Sequence, residues 1–259
     1  MKTLLKSIKY AYTGRTRSRT HPCLSLLGVG TLITSARQYF HTDGADLVGL
    51  LCISKALSGG ESDIVSTQHV FNTLQREHPD VVETLATPNW YFDRKGEETP
   101  DQDPWYKSSI IYTEREPAAP NPEPRVWAKF DPNNVTSLGR YNSGPDARIP
   151  PLSEAQQKAL KVLDETCSRL ALHMILEPGD IQLLANTHVF HARTAYKDYP
   201  PGSVDEEGRQ RVRRHLMRLW LAVPESEGGW KTPFHDSGEK KRGGIQVGDN
   251  APTCPLDAE

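Results

Sequence analysis

One long segment has apolar residues at helical spacing, whereas the other apolar segments are short. This contrast limits the folds that the chain can adopt. The helix is predicted from Ser153 to Leu172, where a capping box of Ser153 and Gln156 precedes apolar residues at helical spacing. Elsewhere the apolar runs are short, and the 20 prolines and 19 glycines imply long connecting loops. This pattern favours a mainly β fold, a sandwich or barrel with flanking helices, over a doubly wound sheet.

Several shorter segments carry further secondary-structure signals. The near-continuous apolar run from Asp46 to Ala56 is typical of a buried strand. A helix with Ser66 as its N-cap is predicted to end before Pro79, and a second short helix follows at about residues 80–86. Further strands are predicted at residues 90–92, 110–112, 126–130, 181–186 and 214–223.

Charge and hydropathy argue against several classes of partner. The formal net charge is −2 at pH 7, which gives no indication of a nucleic-acid partner or of a general membrane partner. No apolar stretch approaches the length needed to cross a bilayer. The four cysteines form no CxxC pair and no disulfide framework, which fits a reducing compartment. They are Cys23, Cys52, Cys167 and Cys254.

The first 36 residues differ in composition from the rest and are interpreted as a separate leader. No acidic residue precedes Asp43, whereas lysines and arginines recur, and this pattern is typical of an organellar presequence. A disordered or imperfectly delimited leader is the alternative. We therefore predict one domain over residues 37–259, located in the cytoplasm, or in mitochondria if the leader is a presequence.

The triplet His41-Thr42-Asp43 provides the first chemical hypothesis. Residues two apart in an extended segment point to the same side, so the histidine and aspartate side chains can converge on one metal ion. A histidine from a distant strand would complete the 2-His-1-carboxylate set of non-haem Fe(II) oxygenases. The pattern alone is weak, because residues 78–80 form a second His-x-Asp triplet, which we interpret as a surface turn and helix start.

Four segments in a fixed order give the chain a resemblance to a known family. Their order and spacing, from about residue 37 to about residue 248, are more specific than any single motif. The segments are Gln38-Tyr-Phe-His-Thr-Asp43, Gly59-Gly-Glu-Ser62, Pro178-Gly-Asp-Ile181 with Asn186 and His191-Ala-Arg-Thr194, and Arg213-Arg-His-Leu-Met-Arg218-Leu-Trp-Leu221. In these segments the chain is similar to the TauD/TfdA group of Fe(II)/2-oxoglutarate dioxygenases.

The resemblance implies a double-stranded β-helix, or jelly roll, with a metal ion at one mouth. It implies His41, Asp43 and His191 as the Fe(II) ligands, and His188 is the rival candidate for the third position. Asn186 would support the same site, either by contacting the substrate or by organising the backbone beside the metal.

The resemblance also implies a role for two arginines and a serine. Arg214 would bind the distal carboxylate of the 2-oxoglutarate cosubstrate, because a guanidinium binds a carboxylate through two hydrogen bonds. Ser62 would supply a second hydrogen bond to that carboxylate. Arg218 would face the primary substrate or lie close to the cosubstrate. The two arginines are four apart in the strand predicted at residues 214–223, so they should share one face, with roughly 13 Å between their backbones.

The function that the resemblance implies is oxidation of a C–H bond in a small organic substrate, with dioxygen consumed and succinate and carbon dioxide released. Arg218 favours an anionic substrate. About 40 residues precede His41, and they do not match the longer amino-terminal portion of the family, so we expect a short member or a leader that is not native.

Two other functions are kept as alternatives. The unmatched amino-terminal portion favours a catalytically silent relative that acts as a binding or regulatory module. A barrel that uses another metal for hydrolysis or isomerisation is the weaker hypothesis, because Arg214 would then have no dicarboxylate to bind. The sequence leaves the oligomeric state open, a homo-oligomer included.

Overall fold

The computed structural model of the chain describes residues 9–12, 35–95, 101–114, 125–222, 233–234, 241–242 and 245–246. Within these ranges the chain is mainly β, and its helices flank the strands. Most of the predicted leader lies outside the described residues. Its residues 9–12 form a strand at the edge of a sheet.

The strands follow one another along the chain with helices between them. The strands are β1 (Lys9–Tyr12), β2 (Gln38–His41), β3 (Leu47–Ser54), β4 (Ser58–Gly59), β5 (Ser62–Ser66), β6 (Trp90–Asp93), β7 (Trp105–Ser108), β8 (Ile111–Glu114), β9 (Arg125–Ala128), β10 (Leu172–Met174), β11 (Ile181–Ala185), β12 (Val189–Arg193), β13 (Tyr196–Lys197), β14 (His215–Ala222), β15 (Lys241–Arg242) and β16 (Ile245–Gln246). The helices are α1 (Thr67–Glu77), α2 (Pro79–Ala86), α3 (Pro132–Thr136), α4 (Gly139–Asn142) and α5 (Glu154–Leu170).

Two four-stranded antiparallel sheets form the centre of the described fold. Sheet I has the strand order β1-β14-β3-β11, and sheet II has the order β10-β5-β12-β2. An apolar cluster joins their inner faces, with Val48, Leu184 and Trp220 from sheet I packed against Ile64 and Val189 from sheet II. Both sheets therefore present one face to a shared interior.

The other face of sheet II is covered by helices. Side chains in a strand point alternately to opposite faces, so Phe190 and Ala192 of β12 enter a large core with buried residues of α1, α2 and α5. His191 lies between them and points to the opposite face, together with its cross-strand neighbour Ile64 of the inner cluster. The alternation of β12 thus places His191 in the interior between the two sheets.

Local sequence signals agree with the observed helices. The Ser66 hydroxyl accepts a hydrogen bond from the backbone N–H of His69 at the start of α1. The capping box of Ser153 and Gln156 is present at the start of α5. The buried-strand prediction for residues 46–56 is confirmed as β3. Among the described residues, no helix has both the length and the apolar character needed to cross a membrane.

The strand predicted at residues 214–223 differs from its prediction at its first residue. β14 begins at His215, and its pairing with β3 shifts in register between His215 and Leu216. Arg214 therefore lies just before the strand, and its backbone N–H donates to the Asp198 carboxylate at 2.8 Å. The prediction that Arg214 and Arg218 lie four residues apart within one regular strand is therefore wrong. The register shift and the contact with Asp198 interrupt the strand pairing before Leu216.

Candidate metal centre

His41, Asp43 and His191 converge in the interior between the sheets. His41 ends β2 and is the cross-strand partner of His191 in β12, and Asp43 follows two residues later. One nitrogen or oxygen atom from each side chain lies within 4.8 Å of the others. The His41 Nε2 to Asp43 Oδ1 distance is 3.6 Å, and the His191 Nε2 to Asp43 Oδ2 distance is 3.7 Å. All three side chains are at most 9% exposed.

A β-bulge in β2 adds Gln38 to this group. His191 pairs with His41 and Arg193 pairs with Gln38, so three residue steps on β2 match two on β12. The extra residue puts Gln38 and His41 on the same side of the strand. The Gln38 amide nitrogen consequently lies 3.2 Å from His41 Nε2. Gln38 belongs to the first of the four motif segments, but the motif predicts no role for it, because a bulge has no signal in the sequence of one strand.

Hydrogen bonds leave a metal-facing nitrogen on His41. The ring nitrogen Nδ1 lies 2.8 Å from the carbonyl oxygen of Tyr39. A carbonyl oxygen can only accept, so Nδ1 carries the proton and Nε2 keeps a lone pair for a ligand. The Nδ1 atom of His191 is buried and has no hydrogen-bond partner among the described residues. Its Nε2 atom faces Asp43, as a ligand to a shared ion would.

The charge states of His191 and Asp43 suit a divalent cation, whereas His41 would have to lose a proton to bind one. Burial, together with the nearby His41 and Arg218, lowers the pKa of His191 to about 3, so this imidazole is neutral at pH 7. Burial by itself would raise the pKa of Asp43, but Arg218 and both histidines outweigh it and hold that pKa well below its ordinary value. Burial also opposes protonation of His41, yet the contact with Asp43 gives a net rise in the His41 pKa. Two imidazoles and one carboxylate match the donor set expected for Fe(II).

Asn186 holds the backbone that carries Asp43. Its side chain is fully buried, its Oδ1 accepts the Asp43 backbone N–H at 2.8 Å, and its Nδ2 donates to the carbonyl oxygens of Asp43 and Ala45, both at 2.6 Å. These contacts correspond to the backbone-organising alternative. Both amide hydrogens are used on backbone carbonyls, so the structure offers no side-chain donor for substrate, and the predicted substrate contact of Asn186 stays a prediction.

Arg218 and Trp220 contact the same carboxylate from β14. The Arg218 Nη1 atom lies 3.4 Å from Asp43 Oδ1, and the Trp220 indole N–H donates to Asp43 Oδ2 at 2.9 Å. The guanidinium carbon of Arg218 lies 4.3 Å from the centre of the Trp220 ring. Trp220 received no role in the sequence analysis. Its spacing from Arg218, two residues along a strand, was the available signal that both side chains share a face.

Arg214 lies just before β14 and contacts the turn between β4 and β5. Its Nη2 donates to the Gly60 carbonyl oxygen at 3.1 Å, and its guanidinium lies 5.2 Å from the Tyr196 ring centre. Burial lowers the pKa of Arg214. No described carboxylate lies within 4.0 Å of its guanidinium nitrogens. A partly buried guanidinium without a carboxylate is suited to binding an anionic ligand.

Ser62 links the two sheets beside this region. It is buried in β5, and its hydroxyl donates to the Gln182 side-chain oxygen of β11 at 3.1 Å. The hydroxyl therefore points to the interior, where its predicted cosubstrate contact would require it to leave Gln182 or to accept a second bond.

His188, the rival third ligand, lies against the Trp127 ring at a centroid distance of 4.4 Å and does not belong to the three-residue group. Residues 78–80 lie where α1 ends and α2 begins, and Asp80 pairs there with Lys158 on the surface.

Two adjacent glycines allow close contacts beside Arg214. Gly59 and Gly60 have φ values of 74° and 81°, a left-handed conformation that favours glycine. A Cβ atom on Gly60 would lie 2.6 Å from Arg214 Nε and 3.0 Å from Arg214 Cδ. A Cβ atom on Gly59 would collide with the carbonyl oxygen of Ala195. The packing around Arg214 therefore requires glycine at position 60, and the close approach of the Ala195 backbone requires it at position 59.

Gly60→Ala is expected to weaken binding of the Arg214 ligand without disturbing the metal ligands. The methyl group would push the guanidinium aside, and the left-handed conformation would add a strain of about 1 kcal/mol. Isothermal titration should show weaker 2-oxoglutarate binding, while the affinity for Co(II) alone stays that of the native protein. Gly139→Ala is the control, because its Cβ atom would meet nothing within 4 Å. Unchanged 2-oxoglutarate affinity in Gly60→Ala would contradict the role of this contact.

The site has the composition of a mononuclear 2-His-1-carboxylate centre, built from two remote segments of the chain. The family described as "Taurine catabolism dioxygenase TauD, TfdA family" matches residues 24–220. The chain belongs to the TauD/TfdA family.

The chain matches only part of the length of each individual relative. FR-33289 synthase of Streptomyces rubellomurinus is 32% identical over 186 residues, which are 71% of this chain and 49% of that protein. Taurine hydroxylase-like protein SAT17 of Stachybotrys chartarum is 28% identical over 194 residues, which are 75% of this chain and 44% of that protein. The chain thus spans about half the length of the curated relatives that it matches.

Solved structures of low sequence identity were also found. An asparagine oxygenase in complex with Fe(II), 2S,3S-3-hydroxyasparagine and succinate matches with 17% identity and a TM-score of 0.49, over 75% of this chain and 54% of the other. The non-haem iron oxygenase OrfP in complex with Fe matches with 14% identity and a TM-score of 0.45, over 73% of this chain and 52% of the other.

Proposed function

We propose that the chain is an Fe(II)- and 2-oxoglutarate-dependent dioxygenase that oxidises a C–H bond of a small organic molecule and releases succinate and carbon dioxide. The observation that carries this proposal is the buried convergence of His41, Asp43 and His191 within 4.8 Å in a member of the TauD/TfdA family. The two facing sheets correspond in this proposal to the two halves of a double-stranded β-helix.

The residues of the site have distinct tasks in this reaction. Fe(II), held by His41 Nε2, the Asp43 carboxylate and a nitrogen of His191, would supply the activation of dioxygen that is coupled to decarboxylation of the cosubstrate. The protein keeps the His191 imidazole neutral and the Asp43 carboxylate charged, and the ion would replace a proton at His41 Nε2. It also excludes bulk water, since the three side chains are at most 9% exposed.

Arg214 and Ser62 are proposed to hold 2-oxoglutarate at its distal carboxylate. The support is a partly buried guanidinium with no described carboxylate within 4.0 Å and a buried hydroxyl that points to the interior. Arg218 is proposed to contact an anionic group of the primary substrate. It lies beside the metal ligands and is 12% exposed, so a group bound to it would be close to the iron.

One observation favours a catalytically silent binding module as a second candidate. The Gln38 amide nitrogen and the Arg218 guanidinium lie against His41 Nε2 and Asp43 Oδ1, the atoms that a metal ion would need. A silent relative could keep these contacts permanently. A dioxygenase must exchange both for the ion, so metal binding distinguishes the two candidates.

The proposed function is tested by succinate release. Purified protein with Fe(II), ascorbate and 2-oxoglutarate is expected to release succinate, and His41→Ala is expected to release only the background amount. His78→Ala is the matched control, because His78 belongs to the second His-x-Asp triplet and lies outside the metal centre. Equal succinate from the native protein and His41→Ala would refute the proposal. Folded protein that neither binds the metal nor releases succinate would favour the silent module.

The domain assignment and the location stay proposals. We propose residues 37–259 as the dioxygenase domain, although the pairing of residues 9–12 with β14 and the family match from residue 24 show contacts and similarity that begin earlier. The cytoplasm is the proposed location, with mitochondria as the alternative if the basic first 36 residues act as a presequence.

A further inference from the structure

We propose that Trp220 is a positioning residue of the metal centre, which holds the Asp43 carboxylate in the orientation that faces the ion. This inference rests on the proposed metal centre. Its starting point is the 2.9 Å hydrogen bond from the Trp220 indole N–H to Asp43 Oδ2. An indole N–H can only donate and an ionised carboxylate can only accept, so the donor and acceptor roles in this hydrogen bond are fixed.

The geometry gives the two oxygens of Asp43 different environments. Oδ2 accepts the indole N–H and lies 3.7 Å from His191 Nε2, whereas Oδ1 lies 3.6 Å from His41 Nε2 and 3.4 Å from Arg218 Nη1. Asn186 already fixes the backbone N–H and carbonyl of Asp43, so the side-chain torsions are the remaining freedom of the carboxylate. The Trp220 hydrogen bond removes this freedom and holds the carboxylate in one orientation.

Trp220 is itself held firmly. The residue is 3% exposed, pairs with Val48 across the ladder between β14 and β3, and packs in the inner cluster with Ala45 and Leu184. Its donor therefore stands at a fixed place when the ion arrives. A rigid partner of this kind is the arrangement by which outer contacts set the direction of a metal ligand.

The ring of Trp220 has a second contact in the site. The Arg218 guanidinium stacks on it at 4.3 Å and touches Asp43 Oδ1 at 3.4 Å. A cation at Oδ1 would repel this guanidinium, while the ring face would still hold it nearby. A test variant should therefore keep the aromatic ring and remove only the N–H, so that Arg218 and the inner core are disturbed as little as the exchange allows.

Trp220→Phe is this variant, and Co(II) alone is the probe of the metal centre. Isothermal titration is expected to show Co(II) binding weakened roughly 10- to 100-fold, the usual loss for an outer partner of a metal ligand. The visible absorption of bound Co(II) should also change, because a freed carboxylate can turn and contact the ion in a different geometry. A purely structural role would lower the melting temperature and leave both metal readouts unchanged.

Trp90→Phe is the matched control. The indole N–H of Trp90 also makes a 2.9 Å hydrogen bond, to the carbonyl oxygen of Thr84, and the residue is fully buried in the other core. It should cost stability and leave Co(II) affinity native. If Trp220→Phe is less stable, the titration is run at a temperature at which circular dichroism shows it folded.

The outcomes separate this inference from the proposed function. Native Co(II) affinity and an unchanged Co(II) spectrum in folded Trp220→Phe would overturn the positioning role. If Asp43→Asn also binds Co(II) like the native protein, the metal centre itself is wrong. If Asp43→Asn loses binding while Trp220→Phe keeps it, only the role of Trp220 fails.

Discussion

Asp43→Asn is expected to abolish both metal binding and succinate release. The amide is nearly isosteric and can still accept the Trp220 N–H, so the variant should fold, but it lacks the negative charge that holds a divalent cation. The loss should exceed the roughly 100-fold that marks removal of an outer contact, because a direct ligand is lost. Co(II) titration and a succinate assay with Fe(II) and 2-oxoglutarate measure the two effects separately.

Asp80→Asn is the matched control for this prediction. Asp80 belongs to the second His-x-Asp triplet, is exposed, and pairs with Lys158 on the surface. The same chemical change there should leave metal binding and succinate release unaltered. Native succinate release by Asp43→Asn would show that this carboxylate is not a ligand.

Those parts of the fold that depend on neighbouring residues could be predicted from the sequence. The capping box at Ser153 and the N-cap at Ser66 act within one helical turn, and both helices start where predicted. The apolar run of β3 is equally local. These signals need no knowledge of which strand pairs with which, and for that reason they could be read directly.

The site required information of longer range. The spacing of His41 and Asp43 is local, but the pairing of His41 with His191 joins residues that are 150 positions apart. No periodicity predicts such a pairing, and the third ligand came from the family resemblance. The structure brings together the three residues that the resemblance implied.

Irregular pairing accounts for what the sequence did not reveal. The bulge in β2 moves Gln38 to the face of His41, and the register shift at the start of β14 separates Arg214 from the strand of Arg218. Such irregularities depend on the partner strand as much as on the strand that contains them. The contact of Trp220 with Asp43 is likewise a consequence of β14 facing the loop after β2.

Arg214→Met is expected to raise the KM for 2-oxoglutarate strongly without affecting Co(II) binding. Methionine retains most of the apolar stem and removes the guanidinium, so the distal carboxylate of the cosubstrate would be buried without a partner. Truncating one partner of a buried charge pair costs about 2–5 kcal/mol, which corresponds to a roughly 30- to 4,000-fold weaker interaction. Initial rates of succinate release at varied 2-oxoglutarate concentration give this value.

Two further arginine variants test whether the charge or its shape matters. Arg214→Lys keeps the charge but loses the planar pair of donors, so its KM should fall between those of the native protein and Arg214→Met. Arg213→Met is the matched control, because the neighbouring Arg213 is exposed and its guanidinium bonds to Asp198. A KM for 2-oxoglutarate that rises in Arg213→Met as much as in Arg214→Met would mean that general positive charge, and not the partly buried guanidinium, attracts the cosubstrate.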